Sequence, residues 1–435
     1  MFDYIIIGAG PGGLGLAYSL NNGKRKVAII ENDKWGGTCP NYGCDPTKVM
    51  MAVVEAKARV ENLKNQGITG ELSLDWKGIR GRKLAITDPL EEKTLAGLQK
   101  SGITTLYGTA SFTTTGEIQV ADKVYKARNY IIATGTRPRQ LDIVGKEFLK
   151  TSNDFLALEE MPRKVTFIGA GSVSLELAQI AHATGAEVTV IASGDLEIGH
   201  FDKEIGEVFL NQLKAEGIVF KENINISKVE KSIDGFVITD KNGHQLLTDL
   251  VIAGVGRVAN VDLLNLEAVG VGADQSGVFV DEYLQTSHPQ IYALGDVISK
   301  KQGHFTPVSD FEGRYLGENL VSTDRQPIDY PVIPAVIFGA TKLAQVGQLE
   351  GEGIKLKSFD LSSWYTYKRI NDPVAKMKVA VNDANEIVGA VTVSSVADEV
   401  INLLMILIQQ KINLLEFDKM ISAYPTVASD LGYFY

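Results

Sequence analysis

The sequence predicts an α/β protein in which one βαβ unit is used twice and then followed by an α+β block. Three observations predict this. A glycine-rich turn joins an apolar strand to a helix within residues 4–21, and the same grammar returns within residues 164–184. After about residue 330 the texture changes: strand-like runs alternate with a helix, and no such turn recurs. Gly8 and Gly169, which open the two turns, lie 161 residues apart. That is about one domain length, far beyond the roughly 20–50 residues of a solenoid repeat.

The first copy begins with the apolar run Tyr4-Ile5-Ile6-Ile7, which leads into Gly8-Ala9-Gly10-Pro11-Gly12-Gly13. Residues 14–21 read as a helix and 27–31 as a strand ending in Glu31. In a turn of this kind Gly8 supplies the tight bend, Gly10 lets the backbone approach a pyrophosphate, and Gly13 lets helix and strand pack closely. Gly12 belongs to the same candidate cradle. The pyrophosphate rests on the helix N-terminus, and an acid about 20 residues on accepts hydrogen bonds from a ribose. In the second copy the strand 164–168 leads into Gly169-Ala170-Gly171-Ser172-Val173-Ser174, then a helix over 175–184 and a strand over 187–191. Ser174 occupies the third glycine's place and is still small. Two dinucleotide sites on one chain point to two cofactors that exchange hydride.

The remaining elements follow in order. Helices are expected over 46–66 and 88–101. A strand over 129–133 ends in Thr134-Gly135, and the apolar run Ile291-Tyr292-Ala293-Leu294 ends in Gly295-Asp296. Beyond 330, strands are expected over 332–338, 374–381 and 387–393, with a helix over 398–410.

Composition narrows the class. The chain has 435 residues and a net charge of −10, which argues against a broad nucleic-acid surface. No apolar run reaches ~18 residues, so no membrane-spanning helix is expected. Met1-Phe2-Asp3-Tyr4 lacks the basic start of a secretory leader, and a cytoplasmic location is expected. The two cysteines, Cys39 and Cys44, stand five positions apart, whereas a disulfide-stapled secreted fold spreads more along its chain. The five histidines lie far from the pair in sequence. A zinc site needs about four ligands. Folding leaves a metal site open, but redox chemistry is favoured and no metal site is assigned. Thiols near a helix N-terminus have lowered pKa values, because the helix dipole stabilises thiolate.

The segment Gly37-Thr38-Cys39, Asn41, Gly43-Cys44 and Pro46-Thr47-Lys48 closely resembles the active-site signature of the class I pyridine nucleotide–disulfide oxidoreductases. Glutathione reductase, dihydrolipoamide dehydrogenase and mercuric reductase belong to that family. The resemblance extends over nearly the whole chain. It includes both glycine turns, Ala133-Thr134-Gly135, Gly254-Val255-Gly256-Arg257, Ala293-Leu294-Gly295-Asp296, Thr306-Pro307, Ile333-Pro334-Ala335 and Tyr424-Pro425-Thr426.

The resemblance implies two Rossmann-like dinucleotide-binding domains plus an α+β C-terminal dimerisation domain. The expected order is an FAD-binding domain (1–150), an NAD(P)-binding domain (151–279), a return to the FAD domain (280–328) and the dimerisation domain (329–435). For FAD it implies Gly8, Gly10, Gly12, Gly13, Glu31, Gly37, Thr38, Lys48, Thr134, Gly135, Asp296 and Thr306. For NAD(P) it implies Gly169, Gly171, Ser174, Glu176, Ser193 and Gly256. By position Cys44 is the thiol that faces the flavin, and Cys39 is the interchange thiol that attacks the acceptor. Lys48 and Glu176 match an ion pair near the flavin N5. Electrons would pass from NAD(P)H through FAD and a Cys39–Cys44 redox disulfide to an external disulfide. A homodimer with the active site shared between subunits is expected, Tyr424 of one chain lying near Cys39 of the other.

The chain also departs from the family. Ala192-Ser193-Gly194-Asp195 follows the strand at 187–191. It carries neither the strand-ending Glu of NAD users nor the Arg of NADPH users. Without the acid there is no repulsion against a 2′-phosphate, and Ser193 can donate to one, so the expectation leans to NADPH over NADH. Ser172 and Tyr18 replace the gating Tyr and the substrate-binding Arg of glutathione reductases, which argues against glutathione as substrate. The usual His-Pro-Thr is Tyr424-Pro425-Thr426, and Ser429, with Asp430 beside it, stands where a Glu would orient the His. No histidine follows His304. Two other readings stand beside disulfide reduction. One is a mercuric-reductase-like reductase of metal ions or small electrophiles, though this chain has no cysteine after Cys44. The other is a redox-sensing flavoprotein that turns over slowly.

Overall fold

A computed structural model describes residues 1–21, 24–417 and 419–434. The chain forms two compact units. The first comprises Met1–Pro46, Lys83–Arg139 and Gly256–Asp329; the second comprises Thr47–Arg82, Gln140–Val255 and Tyr330–Tyr435.

The first unit is built on a five-stranded parallel sheet. Its order is Ile291–Ala293, Ala127–Ile132, Phe2–Ile7, Val27–Glu31, Thr104–Tyr107. Ile5, Ile6, Ile29 and Ile131 are fully buried, as expected of a parallel strand covered on both faces, which reads as a continuous apolar run. Helices Pro11–Leu20 and Thr306–Asn319 lie close enough that a Cβ on Gly313 would stand 2.3 Å from the Gly12 carbonyl oxygen. Small residues at this crossing are therefore a packing requirement. A three-stranded antiparallel sheet, Ala110–Phe112, Ile118–Val120 and Lys123–Tyr125, completes the unit's larger elements.

The second unit repeats the parallel plan with four strands, in the order Val219–Lys221, Glu187–Ile191, Lys164–Ile168, Leu250–Ala253. It adds a three-stranded antiparallel sheet, Ile226–Ser232, Gly235–Asp240 and Gln245–Thr248. A five-stranded antiparallel sheet runs Ala335–Ile337, Lys342–Gly347, Ile387–Ser394, Lys376–Val381, Lys355–Asp360. Helix Ala397–Gln409 buries Ala397, Val400, Ile401, Leu404 and Leu407 against this sheet. Those positions form one face at helical spacing. This is the α/β architecture with two parallel sheets and an α+β C-terminal block that the sequence predicts.

Two differences have physical causes. Helix Trp76–Lys100 starts 12 residues before the expected 88 and carries Pro89 inside it. A proline reads as a helix start, yet an interior one removes a single donor and can be carried by a long helix. The Asp75 carboxylate accepts from the Lys77 and Gly78 amides and opens the helix. Strand Lys355–Asp360 lies at the sheet edge and is mostly exposed, and its lysines hide the strand pattern.

Candidate functional site

In the first unit, the glycine turn and the cysteine segment are built against each other. Gly8 has a φ of +110°, and a Cβ there would stand 2.2 Å from the Ala133 carbonyl oxygen. Only glycine fits this bend. Gly13 is packed as tightly, a Cβ falling 2.0 Å from the Gly8 oxygen. Gly12 faces Ser309 and Leu294 and so serves helix packing first. Gly10 is the N-cap of helix Pro11–Leu20 and has the most room of the four, the nearest atom to a Cβ being 4.0 Å away at Gly37. Gly37 itself has a φ of +69°, and a Cβ on it would meet the Gly10 Cα at 2.6 Å. The Gly36 amide also donates to the Ala9 carbonyl. The segment that carries the cysteines is thus laid directly on the phosphate-type turn.

Glu31 ends its strand with a carboxylate that accepts three backbone amides, from Ala9 and Asn32 at 2.9 Å and from Asp33 at 3.0 Å. Burial raises its pKa, and those amides oppose the shift. The return segment is fixed by a buried ion pair. Lys300 Nζ lies 2.7 Å from Glu312 Oε1, and Glu312 Oε2 accepts from the Gly295 amide at 2.6 Å. Ser309 Oγ donates to Asp296 at 3.2 Å. Thr134 and Asn260 bond reciprocally, and the Asn260 amide donates to Gly135. Gly256, expected beside the second cofactor, falls in this first unit, its carbonyl accepting from the Arg139 amide.

The cysteines sit where two short geometries meet. Thr38 and Cys39 lie on helix Thr38–Tyr42, held by Asn41, whose side chain donates to the Gly37 and Trp35 carbonyls. Cys44 opens the long helix Cys44–Asn62, where a thiolate is favoured by the helix dipole. Both cysteines stand as thiols. Thr306 Oγ1 lies 3.7 Å from Cys44 Sγ. The Cys39 thiol is half-buried, and its single proton faces two acceptors, Cys44 and the Asp45 carboxylate at 3.8 Å. Its pKa is raised, first by the hydrogen bond to Cys44 and then by burial, with Asp45 adding to the shift and the Thr306 hydroxyl opposing it. Cys39 therefore holds its proton.

In the second unit Gly169 repeats the first bend, with a φ of +97° and a Cβ distance of 2.3 Å to the Gly254 oxygen. Gly171 caps helix Ser172–Ala183, and among the described residues nothing lies within 4 Å of where its Cβ would stand. The helix N-terminus is open to a phosphate. Ser174 is buried, and its Oγ has no hydrogen-bond partner among the described residues. It is accommodated by Gly254, whose added Cβ would fall 2.0 Å from that oxygen. Lys48 and Glu176 do form the expected ion pair, at 2.6 Å. Glu176 is buried and its other oxygen accepts from the Phe338 amide at 3.0 Å, while Lys48 Nζ lies 4.6 Å from the Phe338 ring centroid. Ser193 is exposed after the strand Glu187–Ile191. Asp195 and Glu197 of that loop are engaged by Asn223 and Lys203, and Glu222, after the neighbouring strand, accepts from the Leu196 amide.

Tyr424 lies in the second unit, 68 % exposed, its ring stacked on Tyr365 at 6.0 Å and 14°. Ser429 does not orient it. The Ser429 hydroxyl is used within a capping box with Thr426. Asp430 is buried, and burial raises its pKa.

Four residues of these arrangements were not among the sequence candidates: Asp45, Lys300, Glu312 and Tyr365. Asp45 was readable, as an acid placed directly after the second cysteine. The other three come together only through folding.

Residues 2–313 match the family described as pyridine nucleotide-disulphide oxidoreductase, and residues 333–433 match its dimerisation domain. A glutathione reductase of Burkholderia cepacia is 29% identical, with 99% of this chain and 97% of that protein covered. A dihydrolipoyl dehydrogenase of Chlamydia pneumoniae is 29% identical over 98% of this chain and 95% of that protein. A mercuric reductase of Staphylococcus aureus is 29% identical over 99% of this chain and 81% of that protein. Among solved structures, the HOCl-induced flavoprotein disulfide reductase RclA from Escherichia coli superposes with a TM-score of 0.90 at 22% identity, covering 99% of both chains. That likeness bears on the fold.

Proposed function

Because this chain belongs to the pyridine nucleotide-disulphide oxidoreductase family, we propose that Cys39 and Cys44 are the redox pair through which it reduces an external disulfide. The enzyme is an NAD(P)H-dependent flavoprotein disulfide oxidoreductase that uses FAD. The observation that carries the assignment is the shared-proton geometry of Cys39, Cys44 and Thr306 on a segment laid against the first glycine turn.

FAD, when bound, relays two electrons from the nicotinamide to the disulfide. The chain's residues do the rest. Gly8, Gly10, Gly12, Gly13, Gly37 and Thr38 would shape the cradle for FAD, Glu31 would accept hydrogen bonds from its ribose, and Thr134, Gly135, Asp296 and Thr306 would complete it. The tight glycine contacts and the open helix N-terminus fit a pyrophosphate. Lys48, held by Glu176, would supply a positioned cation to the flavin. Gly169, Gly171 and Ser174 would shape the NAD(P) turn, and Gly256 is assigned to the same cofactor. Once the disulfide is opened, Thr306 bonds Cys44 and steadies it as thiolate, while Cys39 holds the proton. Loss of that proton lets Cys39 attack the acceptor, and Cys44 then resolves the mixed disulfide. Tyr424, from the partner subunit of a C2 homodimer, donates a hydrogen bond to the departing thiolate.

We assign residues 1–150 and 280–328 to FAD, 151–279 to NAD(P) and 329–435 to dimerisation. NADPH is the preferred donor, since Ser193 is exposed at the strand end and the neighbouring acids are engaged. No described helix is long and apolar enough to cross a membrane, and a cytoplasmic location fits the cysteine usage. The test is purification followed by steady-state oxidation of NADH and NADPH against lipoamide, glutathione disulfide, other low-molecular-weight disulfides, quinones and metal ions. Turnover with a disulfide supports the proposal. Turnover with metal ions alone, or a single stoichiometric reduction, contradicts it.

A further inference from the structure

Asp45 follows the second cysteine directly, in the first turn of helix Cys44–Asn62. Its Oδ1 stands 3.8 Å from Cys39 Sγ. Asp45 is exposed and Cys39 is half-buried, so carboxylate and sulfur share one solvent-facing surface. Three residues further along the helix, Lys48 is paired with Glu176. The first turn of a helix is an electrostatically favourable place for a carboxylate.

We propose that Asp45 determines the charge class of the acceptor: its carboxylate, seated against the interchange sulfur, favours cationic and neutral disulfides over anionic ones. The inference rests on Cys39 being the thiol that meets the acceptor. In that step the Cys39 thiolate attacks one sulfur of R–S–S–R, a Cys39–S–R bond forms, and the acceptor S–S bond breaks to release RS⁻. Cys44 thiolate then attacks Cys39 Sγ, re-forming the Cys39–Cys44 disulfide and releasing the second RS⁻. Two electrons pass from the dithiol to the acceptor, and the two thiol protons go to the products or to solvent. During the first attack negative charge spreads over three sulfurs, one of them beside Asp45. A carboxylate or phosphate on R adds repulsion there, and an ammonium on R relieves it. The same charge adds to the hold on the Cys39 proton, with Cys44 and the Thr306 hydroxyl as the other groups acting on it.

The test compares two linear disulfides of opposite charge, cystamine and 3,3′-dithiodipropionate, in oxidising the prereduced enzyme under rapid mixing. A unit charge about 6 Å away in a solvent-like dielectric changes a rate by about threefold, in opposite directions for the two acceptors. The wild type should therefore prefer cystamine by about tenfold at low ionic strength. The preference should shrink at about 1 M salt, where screening extends only ~3 Å. Asp45→Asn keeps the shape and the hydrogen-bonding capacity and removes the charge, so its preference should fall to about threefold or less. Asp45→Ser serves the same end should the Asn variant fold poorly. A wild type without preference, or an undiminished preference in the neutral variants, overturns the inference while leaving disulfide reduction intact. Failure of both acceptors to oxidise a fully reduced wild type would instead overturn the reading of Cys39 itself.

Discussion

The two glycine turns share a backbone and differ in what fills it. At Gly8 and Gly169 the bend is nearly the same, with φ of +110° and +97° and Cβ positions 2.2 and 2.3 Å from the carbonyl oxygen of a neighbouring strand end. Gly10 and Gly171 cap their helices with the same φ of −76°. At the third position the turns part. Gly13 is pressed against the Gly8 carbonyl, whereas Ser174 finds room because Gly254 has no side chain. The acids diverge too: Glu31 ends the first unit's strand, while Ala192 follows the second unit's. The backbone bend is fixed by sterics, and the ligand-reading positions are free to vary.

The largest effect is expected from breaking the tighter turn. Gly13→Ala places a Cβ 2.0 Å from backbone, an overpacking that costs about 3 kcal/mol or more. The variant should purify with little bound flavin, as read by absorbance per chain. At the second turn, Gly254→Ala meets a serine side chain instead of backbone and should cost about 1–3 kcal/mol. It should retain flavin yet be reduced slowly by NAD(P)H, and the double variant Gly254→Ala, Ser174→Gly should recover. Failure of that rescue breaks the proposed compensation.

A smaller effect is expected where the cofactor's adenosine end is read. Ala192→Glu restores a strand-end acid and should shift the NADH-to-NADPH ratio of kcat/KM toward NADH by about tenfold. An unchanged ratio would place the 2′-phosphate contact elsewhere. The smallest effect is expected at Tyr424. The ring is exposed and stacked on Tyr365, and a phenol is a poor base at neutral pH. Tyr424→Phe should slow the oxidative half-reaction by less than about tenfold and leave flavin reduction alone, measured by stopped flow. Equal oxidative rates across several acceptors would reduce Tyr424 to a packing residue.

The same contrast explains what the sequence shows and what it hides. The central strands of both parallel sheets were legible because they are buried and read as apolar runs, whereas the largely exposed edge strands Thr104–Tyr107 and Val219–Lys221 were not. The Lys48–Glu176 pair lies 128 positions apart in sequence and was reached through the family signature; the structure brings it to 2.6 Å. Edge strand Lys355–Asp360 was not legible, since an edge carries lysine where a core strand carries valine. The buried Lys300–Glu312 latch was hidden for a different reason. Single charges on a helix usually face solvent, and only the fold shows Glu312 fully buried under Gly295. Asp45 was visible as a residue type, but its proximity to Cys39 depends on the turn between the short helix Thr38–Tyr42 and the long helix Cys44–Asn62.

The central claim is that reducing equivalents pass through Cys39 and Cys44. Its most direct test is an anaerobic NADPH titration of the wild type, Cys39→Ser and Cys44→Ser, with thiol alkylation and peptide mass spectrometry at each point. The account predicts that Cys39 and Cys44 of the wild type become alkylatable only after reduction. A long-wavelength absorbance band should accompany that change, persist in Cys39→Ser and vanish in Cys44→Ser. The account is contradicted if the flavin is reduced while neither cysteine gains reactivity, or if the band survives in Cys44→Ser.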